Sequence, residues 1–208
     1  MDNLDALAEK IRQVLSEKDE AREKMLPLCR DAIRYCSTAI RAVHRQEFTE
    51  AAGLIQSAKD VLTEAEKAVK KHGELANTGA VRDAQKEFAE ANITLALVTG
   101  QPLPGLEDLN IDAAAYLNGM GEAVGEIRRY LLDGMRHGDL SRGEDLLAVM
   151  DDIYSMLVTM DFPDALTGGL RRTTDMVRGV LEKTRSDLTL AIRQKALETK
   201  IADFESKK

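Results

Sequence analysis

Two pairs of closely spaced glutamates are the residues of this sequence best suited to chemistry. Glu122 and Glu126 lie four residues apart in YLNGMGEAVGEIRR (116–129), and Glu87 and Glu90 lie three apart in QKEFAEA (85–91). On a helix, either spacing brings both carboxylates to one side. Carboxylate oxygens are common ligands of metal cations in proteins. Each pair therefore indicates either half of a metal site, completed by another helix, or an ordinary charged helix surface.

Helical geometry predicts where these carboxylates point. At about 100° per residue, Glu122 and Glu126 lie about 160° from the centre of the apolar stripe of their helix. The apolar stripe of the helix that carries Glu87 and Glu90 is predicted to run through Val81, Ala84, Phe88, Ala91, Leu95 and Val98. Glu90 lies about 130° from the centre of this stripe, and Glu87 lies about 70° from it. We therefore expect Glu122 and Glu126 to face away from the core, and Glu87 to lie at its edge.

The other residue types that commonly catalyse reactions form no motif in this sequence. None of His44, His72 and His137 follows a glutamate by three residues, as the di-iron sites of helical bundles require. The sequence also contains no glycine-rich phosphate loop, no cysteine cluster for zinc and no nucleophile elbow. Carboxylates are thus the remaining candidates for catalysis.

Four arginines form a predicted basic stripe on the first helix. Arg30, Arg34, Arg41 and Arg45 fall within an arc of about 60° when each residue turns the helix by about 100°. Such a stripe is either a solvated helix face or a surface for phosphates, which the guanidinium group can bind through two parallel hydrogen bonds.

Composition favours a single all-α domain spanning residues 1–208. Hydrophobic residues make up 44% of the chain and charged residues 31%, which is typical of a globular protein. Aromatic residues contribute only 4%, with no Trp, so the core must consist mainly of aliphatic side chains. A core of this kind suits packed helices better than a sheet.

The charge and the cysteines suggest where the protein acts. A net charge of −7 argues against indiscriminate binding of nucleic acid, although it leaves room for a locally basic surface. Cys29 and Cys36 are too far apart along one helix for a disulfide, and a reducing compartment is the natural inference. No run of eighteen apolar residues occurs, so membrane spanning lacks support. We expect a cytoplasmic protein.

Hydrophobic periodicity predicts six or seven helices and no strand. Pro27 predicts a kink or a break in the first helix near residues 24–26, and Ser141 with Glu144 predicts a capping box. The tail at Lys207 and Lys208 is expected to fray. The predicted helices run from Asp2 to about Gln46, from Phe48 to about Lys71, from Thr78 to about Val98, from Asn110 or Asp112 to about His137, from Ser141 to Met160, and onward from Ala165 or Leu170.

Five segments, in this order, resemble the translin superfamily, and specifically the Trax-like branch (translin-associated factor X) of compact archaeal members. Together they span nearly the whole chain. The segments are AREKMLPLCRDAIRYCSTAIRAVHR (21–45), QKEFAEA (85–91), YLNGMGEAVGEIRRYLLDGMRHGD (116–139), MDDIYSMLVTMDFPDAL (150–166) and GLRRTTDMVRGVLEKTRSD (169–187).

The resemblance implies an all-helical subunit that assembles into a hollow, roughly octameric barrel enclosing single-stranded RNA or DNA. Trax-type members are Mg²⁺-dependent endoribonucleases, whose acids form an E-x-x-E motif on one helix and a D-x-x-x-E motif on the next. Glu87 and Glu90 fill the first motif, and Glu122 and Glu126 fill the second. Glu122 stands where the family usually has Asp, and its additional methylene bears on the distance to a metal.

These implications give two expectations for function. The first is an endoribonuclease for single-stranded RNA, in which all four glutamates bind Mg²⁺, with Mn²⁺ as a substitute, and activate water. In this reading Arg30, Arg34, Arg41 and Arg45, with Arg128 or Arg129, hold the nucleic-acid backbone. The alternative is a non-catalytic assembly that binds single-stranded RNA or DNA, as translin does. Translin-type subunits lose the first acidic pair, so Glu87 and Glu90 favour the nuclease.

Overall fold

The computed structural model describes residues 2–206, and this part of the chain is all-α, with helices joined by short connections and no strand. The prediction of an all-α fold is confirmed for these residues, whereas the predicted fraying of Lys207 and Lys208 concerns positions outside them. Six helices are long and three are single turns. The long ones are α1 (Asp2–His44), α2 (Phe48–Val69), α4 (Gly79–Thr99), α6 (Ala113–Arg136), α7 (Gly143–Val158) and α9 (Leu170–Glu205); the short ones are α3 (Gly73–Ala76), α5 (Leu106–Leu109) and α8 (Asp164–Thr167).

The chain divides into two compact units, one ending at Ala91 and the other beginning at Asn92. The division falls inside α4, which runs without interruption from Gly79 to Thr99. A single domain over residues 1–208 stays a prediction.

The first unit is built on a helical hairpin of α1 and α2. The two helices follow each other after a short turn at residues 45–47 and pack together, and the buried residues of α1 lie between Ala21 and Val43. Alanine supplies much of the contact, because Ala32 and Ala39 on α1 and Ala51 and Ala58 on α2 have no solvent exposure. Small side chains let two helix backbones approach closely, and the larger apolar residues beside them complete the core.

Helix α1 continues through Pro27 from Asp2 to His44. The predicted break is therefore wrong. Proline removes one backbone hydrogen bond and costs a helix roughly 3 kcal/mol. Pro27 lies on the exposed side of α1, while Met25 and Cys29 on either side of it are each only 1% exposed. Burial of these neighbours offsets the cost, since each fully buried large apolar side chain contributes about 1.5–3 kcal/mol.

The second unit is organised around α6, which packs against α7, α8 and α9. The buried amide of Asn118 donates hydrogen bonds of 2.8 Å to the Thr167 and Ala114 carbonyls. Its oxygen accepts one of 2.6 Å from the Thr173 hydroxyl. Further along α6, the Arg128 guanidinium donates to Asp187 at 2.7 Å. These polar contacts fix α6 in rotation as well as in position.

The N-terminus of α7 differs from the sequence prediction. The helix begins at Gly143, and its N-terminal flanking residue Arg142 makes no side-chain cap. The predicted capping box at Ser141 and Glu144 is therefore wrong. Arg142 instead donates to the carbonyls of Val98 (3.0 Å) and Leu97 (3.2 Å), at the C-terminus of α4. A cation at that end satisfies carbonyls that the helix itself leaves without partners.

The close approach of α6 and α9 depends on Gly121. A Cβ at this position would clash with the Cγ2 methyl of Thr173 and lie 3.4 Å from Val177. The Thr173 side chain is held by its bond to Asn118, so it has little freedom to move. At Gly125, one turn further on, a Cβ would have no neighbour within 4 Å.

We expect opposite effects on stability from the same substitution at these two glycines. Gly121→Ala should lower the free energy of unfolding by about 1–3 kcal/mol, because it overfills a packed contact. Gly125→Ala, the matched control, should leave it unchanged or raise it by up to about 1 kcal/mol, because alanine favours the helix. Urea unfolding of both variants measures this. Equal effects at the two positions would contradict the packing described here.

Candidate metal and nucleic-acid site

The structure brings three of the four predicted carboxylates together. Carboxylate oxygens of Glu87, Glu90 and Glu122 all lie within 4.8 Å of one another, and we call this group the carboxylate cluster. Glu90 is the most buried member, with 9% of its surface exposed. Glu126 lies outside the cluster, one turn beyond Glu122 on α6, and its Oε2 is 3.9 Å from Nη1 of Arg129.

The burial of Glu90 differs from the prediction that it points away from the core. The apolar stripe predicted for α4 is buried at Ala84, Phe88 and Ala91. The opposite face is buried too, because α4 has little exposed surface between Phe88 and Val98. Periodicity identifies the most apolar face of a helix, and it says nothing about a second face that other parts of the protein cover.

The cluster carries strong electrostatic repulsion when its members are ionised. Two unit charges about 4.8 Å apart repel by roughly 3 kcal/mol at an effective dielectric constant of about 20. A divalent cation offsets this repulsion, because its attraction to each of the three carboxylates outweighs the repulsion between them. The donors are all oxygen atoms, which suits Mg²⁺ or Mn²⁺ better than soft metals.

Cys36 is a neighbour of the cluster that sequence reasoning missed. It lies on α1 with no solvent exposure. Burial, and then the negative charges of Glu87 and Glu90, raise the pKa of its thiol to about 12. The thiol is therefore protonated at neutral pH when no metal is bound. Nothing in the spacing of Cys36 along the sequence indicates this proximity, because the acids are fifty residues away.

Helix α6 positions Glu122 and Glu126 through contacts on its other faces. The Asp112 side chain caps its N-terminus by accepting hydrogen bonds from the backbone N–H groups of Ala114 and Ala115. The Tyr116 hydroxyl donates to the Pro104 carbonyl at 2.8 Å and ties the preceding loop to the helix. Both acids are only partly exposed, with 25% exposure for the Glu126 side chain.

The four arginines of the predicted stripe all lie exposed on α1. Three of them also make local contacts. Arg34 lies 3.0 Å from Asp31, Arg41 donates to the Ser37 carbonyl and the Thr38 hydroxyl, and Arg45 pairs with Glu47. Such exposed contacts contribute little to stability, so they leave these guanidinium groups able to exchange partners.

The two neighbouring arginines on α6 have different surroundings. Arg128 is largely buried and donates to Thr184 and Asp187, so its charge serves the packing of α6 on α9. The Arg129 side chain is 57% exposed and lies on the same side of α6 as Glu126. The sequence left open whether Arg128 or Arg129 contacts a ligand, and of these two side chains Arg129 is the accessible one.

Comparison with solved structures identifies proteins that have a similar fold. The fold is similar to a structure described as an AfC3PO–duplex RNA complex, with a TM-score of 0.85, 34% identity, and coverage of 91% of this chain and 98% of that one. A crystal structure of AfC3PO gives a TM-score of 0.83 at the same identity and coverage. The crystal structure of apo-NeC3PO, at 19% identity and a TM-score of 0.74, shares the fold.

The chain belongs to the translin superfamily, as the resemblance of its sequence motifs indicated. A protein of Methanocaldococcus jannaschii, described as uncharacterized protein MJ0175, is 31% identical over 184 residues, covering 86% of this chain and 80% of that protein. No family model matches the sequence. Among the residues that the structure describes, no helix is both long and apolar enough to cross a membrane.

Metal binding should stabilise the folded protein through the carboxylate cluster. A ligand at a hundred times its dissociation constant adds about 2.7 kcal/mol to the free energy of unfolding. We expect Mn²⁺ or Mg²⁺ to raise the melting temperature of the wild type, and Glu90→Gln to remove most of that rise. Asp83→Asn, an exposed acid on the same helix outside the cluster, is the control and should respond as the wild type does. Differential scanning fluorimetry in EDTA and in added metal measures both.

Proposed function

We propose that this protein is a metal-dependent endoribonuclease of the Trax-like type, acting on single-stranded RNA within a homo-oligomer, an octamer in the simplest case. The proposed metal is Mg²⁺, with Mn²⁺ as a substitute, and the proposed location is the cytoplasm. The observation that carries the proposal is the carboxylate cluster, because it gathers three of the four family acids within 4.8 Å.

In the proposed site, Glu87, Glu90 and Glu122 hold the cation. When bound, Mg²⁺ neutralises charge on the scissile phosphate and makes water a better nucleophile. Glu126 lies one turn beyond Glu122 and outside the cluster, so it can accept the proton of the attacking water. Hydrolysis then places the water oxygen on phosphorus and breaks the bond from phosphorus to the leaving ribose oxygen, which takes up a proton from the solvent.

The RNA backbone is proposed to bind to exposed arginines. Arg30, Arg34, Arg41 and Arg45 on α1 and Arg129 on α6 carry the positive charge that phosphates require. The similar AfC3PO structure is an RNA complex, which supports RNA as the class of ligand. That RNA is a duplex, so single-stranded RNA, duplex RNA and single-stranded DNA should be compared directly.

Exposed apolar surface at both ends of the chain supports assembly into an oligomer. Leu4, Leu7 and Ile11 near the start of α1 are 74%, 53% and 50% exposed, and Leu190 and Leu197 on α9 are 66% and 59% exposed. The apolar residues named on α1 are three and four positions apart and those named on α9 are seven apart, so each set lies on one side of its helix, the pattern typical of helix–helix contacts. Contact with further copies of the chain would remove these stripes from water.

A non-catalytic RNA-binding assembly is the second candidate. It is favoured by Glu122, because the family usually has the shorter Asp there, and by the RNA in the similar AfC3PO structure. Incubation of labelled single-stranded RNA with Mg²⁺ or with EDTA separates the candidates. Mg²⁺-dependent shortening of the RNA supports the nuclease, and unchanged length with retained binding supports the assembly.

Substitution of the acids should separate cleavage from binding. Glu126→Ala and Glu90→Gln should each reduce the rate of RNA cleavage by at least about a hundredfold, a usual effect for a group that transfers a proton or binds a catalytic metal. RNA affinity should be unchanged or slightly higher, because a negative charge near phosphates is lost. Single-turnover cleavage and fluorescence anisotropy measure the two quantities, with Asp83→Asn as the control. Undiminished cutting by Glu126→Ala would remove that residue from the mechanism.

The arginine stripe should govern the salt dependence of binding. Each phosphate contact on single-stranded nucleic acid contributes about −0.7 to the slope of log K against log salt concentration. Arg34→Ala should weaken binding and make this slope shallower by about that amount. The control is Arg22→Ala, an exposed arginine on the same helix outside the stripe. If both substitutions have the same effect, the stripe has no special role.

A further inference from the structure

Thr94 carries a buried hydroxyl that the fold leaves unsatisfied. The residue has no solvent exposure, and its Oγ1 has no hydrogen-bond partner within the described structure. A buried polar group without a partner costs about as much as a lost hydrogen bond. Valine has nearly the same shape as threonine and would fill this position without that cost.

Thr94 lacks the hydrogen bond that a threonine within a helix usually makes. Threonines inside helices commonly donate to the backbone carbonyl four residues earlier. Thr94 does not make this bond to the Glu90 carbonyl. Among the described residues, Thr167 makes the corresponding bond at 3.4 Å, and the following threonines make it at 2.7–3.0 Å: Thr38, Thr63, Thr99, Thr174, Thr184, Thr189 and Thr199.

Helix geometry places Thr94 beside the carboxylate cluster. Residues four apart on a helix are neighbours on one face, with Cβ atoms about 5–6 Å apart. Helical side chains also lean toward the N-terminus, so the Thr94 side chain lies over the turn that carries Glu90. Glu90 is the most buried acid of the cluster, and Glu87 lies one turn before it. The orphaned hydroxyl thus stands one turn from the proposed metal ligands.

We propose that the Thr94 hydroxyl is a positioning group for the Glu90 carboxylate, to which it is joined by one bridging water. This inference rests on the proposed metal-binding function. Because the Glu90 side chain also leans toward the N-terminus, its carboxylate extends away from the Thr94 hydroxyl, and a water with these two side chains as polar partners suits the gap better than a direct bond. Held in this way, the carboxylate keeps one orientation toward the cation and loses less conformational freedom when the ion binds. Groups that hydrogen-bond to metal ligands typically contribute 10–100-fold to metal affinity.

The experiment compares metal affinity and stability in variants at two threonines of α4. Thr94→Val removes the hydroxyl and keeps the shape, whereas Thr94→Ser keeps the hydroxyl. The matched control is Thr99→Val on the same helix, where the hydroxyl already donates to Leu95. The dissociation constant for Mn²⁺ is measured by electron paramagnetic resonance on the full chain, and melting temperatures are measured in EDTA.

We expect Thr94→Val to raise the Mn²⁺ dissociation constant 10–100-fold while its melting temperature in EDTA stays equal to or above that of the wild type. Thr94→Ser should bind Mn²⁺ within about threefold of the wild type, and Thr99→Val should leave Mn²⁺ binding unchanged. If Thr94→Val fails to fold, the pair Thr94→Ala and Thr94→Ser isolates the hydroxyl, since both lack the methyl group.

Two results would overturn the proposal in distinguishable ways. Equal Mn²⁺ affinity in the wild type and Thr94→Val removes the role of Thr94 and leaves the proposed nuclease intact. Failure of the wild type to bind Mn²⁺ overturns the proposed metal site, and the role of Thr94 with it. A purely structural role predicts the reverse pattern, in which Thr94→Val loses melting temperature in EDTA and keeps its metal affinity.

Discussion

The close approach of three carboxylates, one of them buried, is the constraint on which the proposed chemistry depends. Glutamates at Glu87, Glu90 and Glu122 repel one another when ionised, and burial of Glu90 strengthens that repulsion by removing water. Each helix must therefore hold its own acids in place. The same feature that opposes stability gives a divalent cation its ligands, a combination typical of functional sites.

Rigid placement of the acids comes from ordinary packing elsewhere on their helices. On α6, the Asn118 amide, Gly121 and Arg128 all contact partners within the second unit, and none of the three is one of the proposed metal ligands. Their contacts set the rotation of α6, and that rotation determines where Glu122 and Glu126 point. Gly121 and the largely buried Arg128 belong to no catalytic motif, and they thus act on the site only through the packing of α6.

The distribution of charge resolves the tension between an acidic protein and a proposed RNA ligand. A net charge of −7 is compatible with RNA binding only if the positive groups are gathered on one surface. The stripe from Arg30 to Arg45 is exposed on α1 and can meet that condition, whereas Arg128 does not contribute because its side chain is only 21% exposed and is held by Asp187. The number of arginines in the sequence therefore overstates how many can contact a phosphate, because only the exposed arginines are accessible to it.

Helical periodicity is a local property, so the sequence was enough to predict the all-α fold and the approximate limits of the six long helices, and short acidic motifs were enough to single out the candidate acids. It placed the stripe on α4 through Ala84, Phe88 and Ala91 correctly for the same reason. Four features became known from tertiary packing alone. Glu90 is buried, and Cys36 lies beside Glu87 and Glu90. Arg142 caps α4, and α1 continues through Pro27 without a break. Each of these features depends either on contacts with residues distant in sequence or on packing energy that outweighs a local conformational preference. The spacing of neighbouring residues in the sequence predicts neither of these.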